Sequence, residues 1–260
     1  MPKLAANLSM LFTEYKFIDR FEAASRSGFQ GVEYLFPYDF EPKEIADKLN
    51  EYSLTQVLFN LPAGDWDKGE RGIACHPERI EEFREGVSQA IRYAKVLNCN
   101  QLNCLVGIKP ENVTEEDAFK TTVNNLKYAS EKLGAEGIQL IVEAINTQDM
   151  PNFFINSTQK AIRIISEVGK DNLQYQYDIY HMQIMEGNLA RTLTDHKAVI
   201  KHIQLADNPG RNEPGTGEIN YPFLLKHIDE IGYEGWIGCE YVPKTTTEES
   251  LSWIKEYNLV

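Results

Sequence analysis

Residues 138–143 read IQLIVE, a short β-branched and apolar run that stops on a carboxylate, Glu143. Seven further runs of this kind stop on a carboxylate or a carboxamide. They end at Asn7 in LAAN, Glu33 in GVE, Asn60 in VLFN, Asn103 in QLN, Asp178 in QYQYD, Gln204 in HIQ and Glu240 in IGCE. Residues of these types fit a pleated, buried strand. After a loop, most of the runs give way to a stretch of helical period. Eight strand-then-helix units in 260 residues are the arithmetic of a (β/α)8 barrel. The expected fold class is therefore α/β, a single TIM barrel spanning residues 1–260 as one domain.

In such a barrel the C-terminal strand ends meet at one rim, where active sites sit. Glu143, Asp178, Gln204 and Glu240 close strands five to eight and would face one another. A set made only of oxygen donors suits Mg²⁺ or Mn²⁺ better than Zn²⁺. Three carboxylates at one rim would also raise one another's pKa unless a cation or a shared proton offset them. The four residues are the expected ligands of a divalent metal cofactor, Mg²⁺ or Mn²⁺. Glu143 and Glu240 are in addition the expected catalytic pair for moving a proton. For any one of these carboxylates an ordinary role competes, as a cap on the following helix or a partner for a rim lysine. The set of four is harder to explain that way.

His181 follows Asp178 by three residues, in DIYH. A solitary histidine is more often structural, but its place just past a ligand strand points toward a substrate oxygen. Arg211, in the loop after Gln204, and Arg71, in the long third loop, are the best partners for an anion. Arginine grips a carboxylate through two parallel hydrogen bonds, which lysine cannot do. A solvated surface role is the alternative for both arginines. His181, Arg211 and Arg71 are the expected substrate-binding residues. Asn7, Asn60 and Asn103 are read as satisfying backbone groups at strand ends, with no chemistry assigned.

Outward from the rim, helices are expected near Phe17–Ser27, Lys43–Tyr52, Glu78–Leu97 and Thr114–Leu133, then from Ser157 to Val168, and from Thr247 to the C-terminus. Thr114-Glu-Glu-Asp117 has the arrangement of a capping box, and Gly28 and Gly169 stand where helices stop. Three loops are long: LPAGDWDKGERGIACHPE after Asn60, AINTQDMPNFFIN after Glu143, and ADNPGRNEPGTGEINYP after Leu205. Loops of this length in a compact domain usually act as lids or binding segments.

The chain is 42 % hydrophobic and 25 % charged, an ordinary globular composition. No apolar stretch approaches the length of a membrane span. MPKLAANLSMLFTEYKF lacks a basic segment followed by a continuous apolar one, so no signal peptide is expected. Cys75, Cys99, Cys104 and Cys239 show no CxxC spacing and read as reduced thiols of a cytoplasmic protein. With 39 acidic against 26 basic residues the net charge is −13, which argues against a nucleic acid or an anionic membrane as partner. No GxGxxG stands at a strand-to-helix turn, which argues against dinucleotide chemistry.

Seven stretches carry a family resemblance: LAANLSMLFTEY, GVEYLFPYDF, FNLPAGDWDKGERGIAC, LIVEAIN, QYDIYHMQIMEGNL, HIQLADNPGRNEPGTGEINY and WIGCEYVPKTTTE. Together they cover nearly the whole chain, and they resemble the hydroxypyruvate isomerase family of the xylose-isomerase-like barrels. The resemblance implies interconversion of hydroxypyruvate and tartronate semialdehyde, in glyoxylate metabolism, by a homo-oligomer. It places the acid/base pair on Glu143 and Glu240 and the metal on Glu143, Asp178, Gln204 and Glu240. Ketose 3-epimerases of the superfamily commonly have histidine at the position of Gln204, which favours the isomerase branch here. A sister group similar in the same motifs isomerises 2-oxo-tetronates.

The chemistry also stands without the family. Moving a carbonyl between adjacent carbons needs removal of a proton α to it and return of a proton next door. Two carboxylates can do both through an enediolate. The expected partner is thus a small hydroxy-keto acid. Two readings of other classes compete. An abasic-site endonuclease on this barrel needs a histidine-rich zinc cluster and a basic face, which five histidines and the acidic charge do not provide. A catalytically inactive barrel used for binding is open on fold grounds alone.

Overall fold

The computed structural model describes residues 3–257. Eight strands close a barrel in chain order: β1 Lys3–Asn7, β2 Gly31–Glu33, β3 Thr55–Asn60, β4 Gln101–Cys104, β5 Gln139–Glu143, β6 Leu173–Asp178, β7 Ile200–Leu205 and β8 Trp236–Cys239. All neighbours are parallel, and β1 pairs with β8 from Lys3↔Trp236 to Ala6↔Cys239. The expected α/β barrel is the observed one.

The outer helices are α1 Arg20–Arg26, α2 Pro42–Glu51, α3 Ile80–Leu97, α4 Glu115–Gly134, α5 Thr158–Val168, α6 Ile179–Met185, α7 Leu189–His196, α8 Tyr221–Glu230, α9 Thr247–Ser250 and α10 Ser252–Glu256. Their starts follow local chemistry. The Thr114 side chain accepts the amide of Asp117 at 3.1 Å, and Ser157 accepts that of Lys160 at 3.2 Å. Gly169 ends α5 with φ +61°, which glycine adopts without steric cost. Phe83, Val87, Ala90, Ala94 and Leu97 form the buried stripe of α3, at the three- and four-residue spacing of one helical face.

Several expected ends move. The expected Phe17–Ser27 helix is a 3₁₀ turn, Phe17–Asp19, leading into α1. The segment expected to run from Thr247 breaks into α9 and α10, and residues 258–260 lie outside those described. Strand β2 stops at Glu33, and the chain leaves the sheet before Pro37. The short α6 and α7 were not anticipated. Helix α6 arises where Asp178 caps it directly at the strand tip, and α7 starts after Asn188 turns the chain at φ +50°.

The lower barrel interior is apolar, with Ala5, Val57, Leu58 and Ile141 packed together and Trp236 against them. Gly31 makes this possible, since a Cβ there would lie 2.7 Å from the Trp236 ring. Toward the C-terminal rim the interior becomes polar. Asn7 pairs with Glu33, Asn60 with Asn103, Glu143 with Gln176 and Asp178 with Gln204, so the polar strand ends arrive at nearly matched heights.

Candidate active site

The strand ends put Glu143, Gln204 and Glu240 on the wall of one cavity of about 90 Å³. Gln176, His181 and Arg211 also line it, and so do Asn60, Asn103 and an apolar set that includes Leu35, Trp66 and Leu105. Asp178 stands just behind this wall. Its Oδ1 accepts the backbone amide of His181 at 3.1 Å, capping α6. Its Oδ2 lies 3.7 Å from His181 Nε2 and 4.0 Å from Arg211 Nη2. The helix cap and the site therefore share one carboxylate, an oxygen each.

Every carboxyl here is buried, and burial sets the electrostatics. Desolvation holds Glu143 well above the usual carboxyl range, and the charges of Asp178 and Glu240 add to the effect. Burial likewise pushes Glu240 up to about 8, although the Arg211 guanidinium pulls the other way. Arg211 Nη2 donates to Glu240 Oε2 at 2.5 Å. Burial disfavours the charged guanidinium, but Glu240, Asp178 and Glu143 outweigh it and keep Arg211 above its ordinary value. One guanidinium thus faces three carboxyl groups, which leaves an excess of acid for a cation or a proton to offset.

The loops explain how Arg211 reaches the site. Buried Asp207, just past β7, accepts the amides of Asn208, Gly215, Gly217 and Ile219 at 2.9–3.1 Å. This gathers the ADNPGRNEPGTGEINYP loop onto one side chain. Arg211 sits in it at φ +53°, and its carbonyl accepts the amide of Val242 at 2.8 Å. The seventh and eighth loops are stitched together directly above Glu240.

Glu143, Asp178 and His181 bring ligand atoms within 4.8 Å of one another, a group able to hold a metal ion. His181 was expected on the substrate and not among the metal ligands, and its hydrogen bonds bear on the choice. Asn146 Oδ1 accepts the amides of Gln148 and Asp149, so its Nδ2 must be the atom 2.7 Å from His181 Nδ1. Nδ1 is then an acceptor. Burial pushes the imidazole down to about 4, so the ring is neutral and its proton sits on Nε2, facing the cavity. In this tautomer His181 is a hydrogen-bond donor toward the site rather than a lone-pair ligand. The tautomer is a stronger constraint than proximity, because it follows from a satisfied network.

Gln204 is held at both ends. Its Nε2 donates to Glu33 Oε1 at 2.7 Å, and its Oε1 accepts from Gln176 Nε2 at 2.6 Å. The oxygen expected to face a metal is thus turned toward β6. Arg71 lies outside the cavity. Its guanidinium stacks on Trp66 at 3.9 Å, and Nη1 donates to the carbonyls of Trp66 and Glu70. Glu70 pairs instead with Arg79, at 2.5 Å. Arg71 contacts the outer edge of a wall residue, and the third loop would have to move for it to reach a ligand.

Other residues at the rim carried no chemistry in the sequence reading. Asn103 Nδ2 donates to Asn60 Oδ1 at 3.1 Å and lies 3.3 Å from Glu143 Oε2. Asn7 Nδ2 lies between Glu33 and Glu240. The signal was present, since these amides end strands exactly as the carboxylates do, but an amide at a strand end also has a backbone-satisfying explanation.

This closed barrel, with acids converging on its C-terminal rim, defines the class. A family profile described as xylose isomerase-like TIM barrel matches residues 21–257. Hydroxypyruvate isomerase of Escherichia coli K12 is 52 % identical over 257 residues, covering 99 % of this chain and all of that one. A 2-oxo-tetronate isomerase of Cupriavidus necator is 44 % identical, covering 99 % of each. Among solved structures, one described as an AP endonuclease, family 2, from Brucella melitensis superposes with a TM-score of 0.96 at 44 % identity, covering 99 % of each chain. The chain belongs to the xylose isomerase-like TIM barrel family, within its hydroxypyruvate isomerase branch, and is an isomerase.

Proposed function

We propose that the chain interconverts hydroxypyruvate and tartronate semialdehyde, with Glu143 and Glu240 as the catalytic pair. The observation that carries this reading is the pair itself: two buried carboxyl groups of raised pKa on the wall of one small cavity. One removes a proton from C3 of hydroxypyruvate, and the electron pair forms the C2–C3 double bond of an enediolate. A proton returns to C2 while the hydroxyl proton passes from the C3 oxygen to the C2 oxygen. One C–H and one O–H proton have then moved, and nothing is oxidised overall. Carboxyl groups whose pKa lies near the working pH serve such transfers best, since each can both take and give a proton.

His181 Nε2–H faces the cavity and donates to a substrate oxygen as charge builds there. Arg211 meets the substrate carboxylate, giving up part of its contact with Glu240. The residues also fit a divalent cation: buried Glu143 and Asp178 offer oxygens, and Glu240 completes an acidic set that one guanidinium does not neutralise. Mg²⁺ or Mn²⁺ suits these hard donors. When bound, such an ion would stabilise negative charge on the substrate oxygens. Gln204 would join it only by releasing Gln176.

A second reading is the four-carbon substrate of the 2-oxo-tetronate isomerases, which are 40–44 % identical to this chain. The higher identity to the Escherichia coli hydroxypyruvate isomerase, 52 %, favours the three-carbon acid. For an endonuclease, Glu143, Asp178 and His181 form the only cluster of three or more metal-binding side chains among the described residues, far from a histidine-rich zinc set. The four free, buried cysteines agree with a reducing cytoplasm. We read residues 1–260 as one domain and the protein as a homo-oligomer, which sedimentation tests. Proton NMR in D₂O with hydroxypyruvate and 2-oxo-tetronates tests the activity. Turnover of the three-carbon acid with deuterium entering the reacting carbon is expected, and turnover of neither acid overturns the reading.

A further inference from the structure

Behind the cavity wall lies a carboxylate that the proposed chemistry does not use. Glu33, at the tip of β2, is 1 % exposed and does not line the cavity. Three donors converge on it. His202 Nε2 lies 2.6 Å from Oε2, while Gln204 Nε2 and Asn7 Nδ2 reach Oε1 at 2.7 and 3.0 Å. A buried carboxylate persists only when its oxygens are so satisfied.

Two of those donors lead straight to the site. Asn7 Nδ2 also lies 3.1 Å from Glu240 Oε1, so one amide group joins Glu33 to Glu240. Gln204 cannot turn its amide over, because its NH₂ would leave a carboxylate and its carbonyl oxygen would meet one. Glu33 therefore decides that the Gln204 oxygen points to Gln176. The barrel makes room for this carboxylate at Gly238, the β8 residue level with Gln204. A Cβ there would lie 2.3 Å from Glu33 Oε1.

We propose that Glu33 is a positioning residue of the isomerase site, holding Glu240 through Asn7 and setting the orientation of Gln204 without touching the substrate. The inference rests on the reading of Glu240 as a proton-transfer group. Residues that orient a site's primary groups typically contribute about 10–100-fold to activity.

The test measures kcat, KM and thermal midpoint of the full chain with hydroxypyruvate, for Glu33→Gln, Asn7→Ala and their double variant, with Glu240→Gln as the reference. Glu33→Gln keeps the volume but removes the charge on which the three donors converge, and its new amide group fits opposite His202 only if the imidazole moves its proton to Nδ1. Its kcat should fall about 10–100-fold with KM little changed. Asn7→Ala should lower kcat in the same direction, and the double variant should lose less than the product of the two, because both act on Glu240 by one route. A merely structural role would lower the midpoint and leave kcat per folded molecule intact, which overturns the proposal. Wild-type kcat in both single variants beside an inactive Glu240→Gln overturns it too. Should Glu33→Gln not fold, Asn7→Ala decides by the same kcat criterion. Wild-type turnover in Glu240→Gln defeats the proton-transfer reading itself, and this inference with it.

Discussion

The two halves of the barrel rim are built to different rules. From β5 to β8 the cavity wall presents Glu143, Gln176, His181, Gln204, Arg211 and Glu240, with Asp178 just behind it and Ile145 and Met150 as its apolar members. From β1 to β4 it presents Met10, Leu35, Trp66 and Leu105, relieved by the amides Asn60 and Asn103. The acidic half can move protons and hold a cation, while the apolar half can exclude water and limit ligand length. The contrast also has an electrostatic consequence. The apolar half removes solvent from the acidic half, and desolvation is the largest cause of the raised pKa of both Glu143 and Glu240.

The largest test of this division falls on the acidic half. Glu143→Gln and Glu240→Gln should each lower kcat by roughly 10²–10⁴, the usual range for one proton-transfer group. Near-normal kcat in either would remove that residue from the chemistry. Next, Arg211→Ala should raise KM for hydroxypyruvate more than tenfold, since a hydrogen bond to a charged group contributes about 1.5–3 kcal/mol. The same variant leaves Glu240 without its cationic neighbour, so the pH at which that carboxyl ionises should rise further. An unchanged KM would place the substrate carboxylate elsewhere.

On the apolar half, Leu105→Ala should leave proton transfer intact and shift preference toward four-carbon 2-oxo acids. A change of about tenfold in relative kcat/KM is expected, since one methylene of pocket space discriminates by roughly 10–200-fold. If the preference does not move, the apolar wall does not set substrate length.

Stability should report the same contrast. Glu240 has an ordinary value of 4.5 when unfolded and about 8 when folded, so the folded protein holds the proton more tightly between those limits. Its contribution to stability is then fully present below about pH 4.5 and is lost as pH rises through 8. Thermal midpoints of chelator-treated protein should fall across that window. Glu240→Gln should flatten part of the slope, and added Mg²⁺ or Mn²⁺ should raise the midpoint most at the alkaline end. A slope unchanged by Glu240→Gln would contradict the raised value. The smallest effect belongs to Arg71→Ala. Its stacking on Trp66 is a cation–π contact worth about 0.5–1 kcal/mol, so kcat/KM should change less than fivefold. A larger loss would mean that the third loop closes and brings Arg71 onto the ligand.

The barrel and most of the acidic half were readable before any coordinates, for a physical reason. A strand buried in the barrel is mostly apolar, so a charged side chain at its end is conspicuous. Glu143 and Glu240 stand out in this way, Asp178 less so because β6 already carries Gln174 and Gln176, and strand order alone makes the three neighbours. The sequence by itself thus determined the eight-unit count, the rim at which the polar strand ends gather and the acidic residues that meet there. Tertiary structure decided what each side chain does on arrival. The His181 tautomer depends on Asn146, 35 positions away, and the Gln204 orientation depends on Glu33, 171 positions away. Arg211 reaches Glu240 because Asp207 folds the intervening loop, whereas Arg71 is turned aside onto Trp66. Such choices are made by hydrogen-bond partners brought together only when the barrel closes, and no local pattern along the chain encodes them.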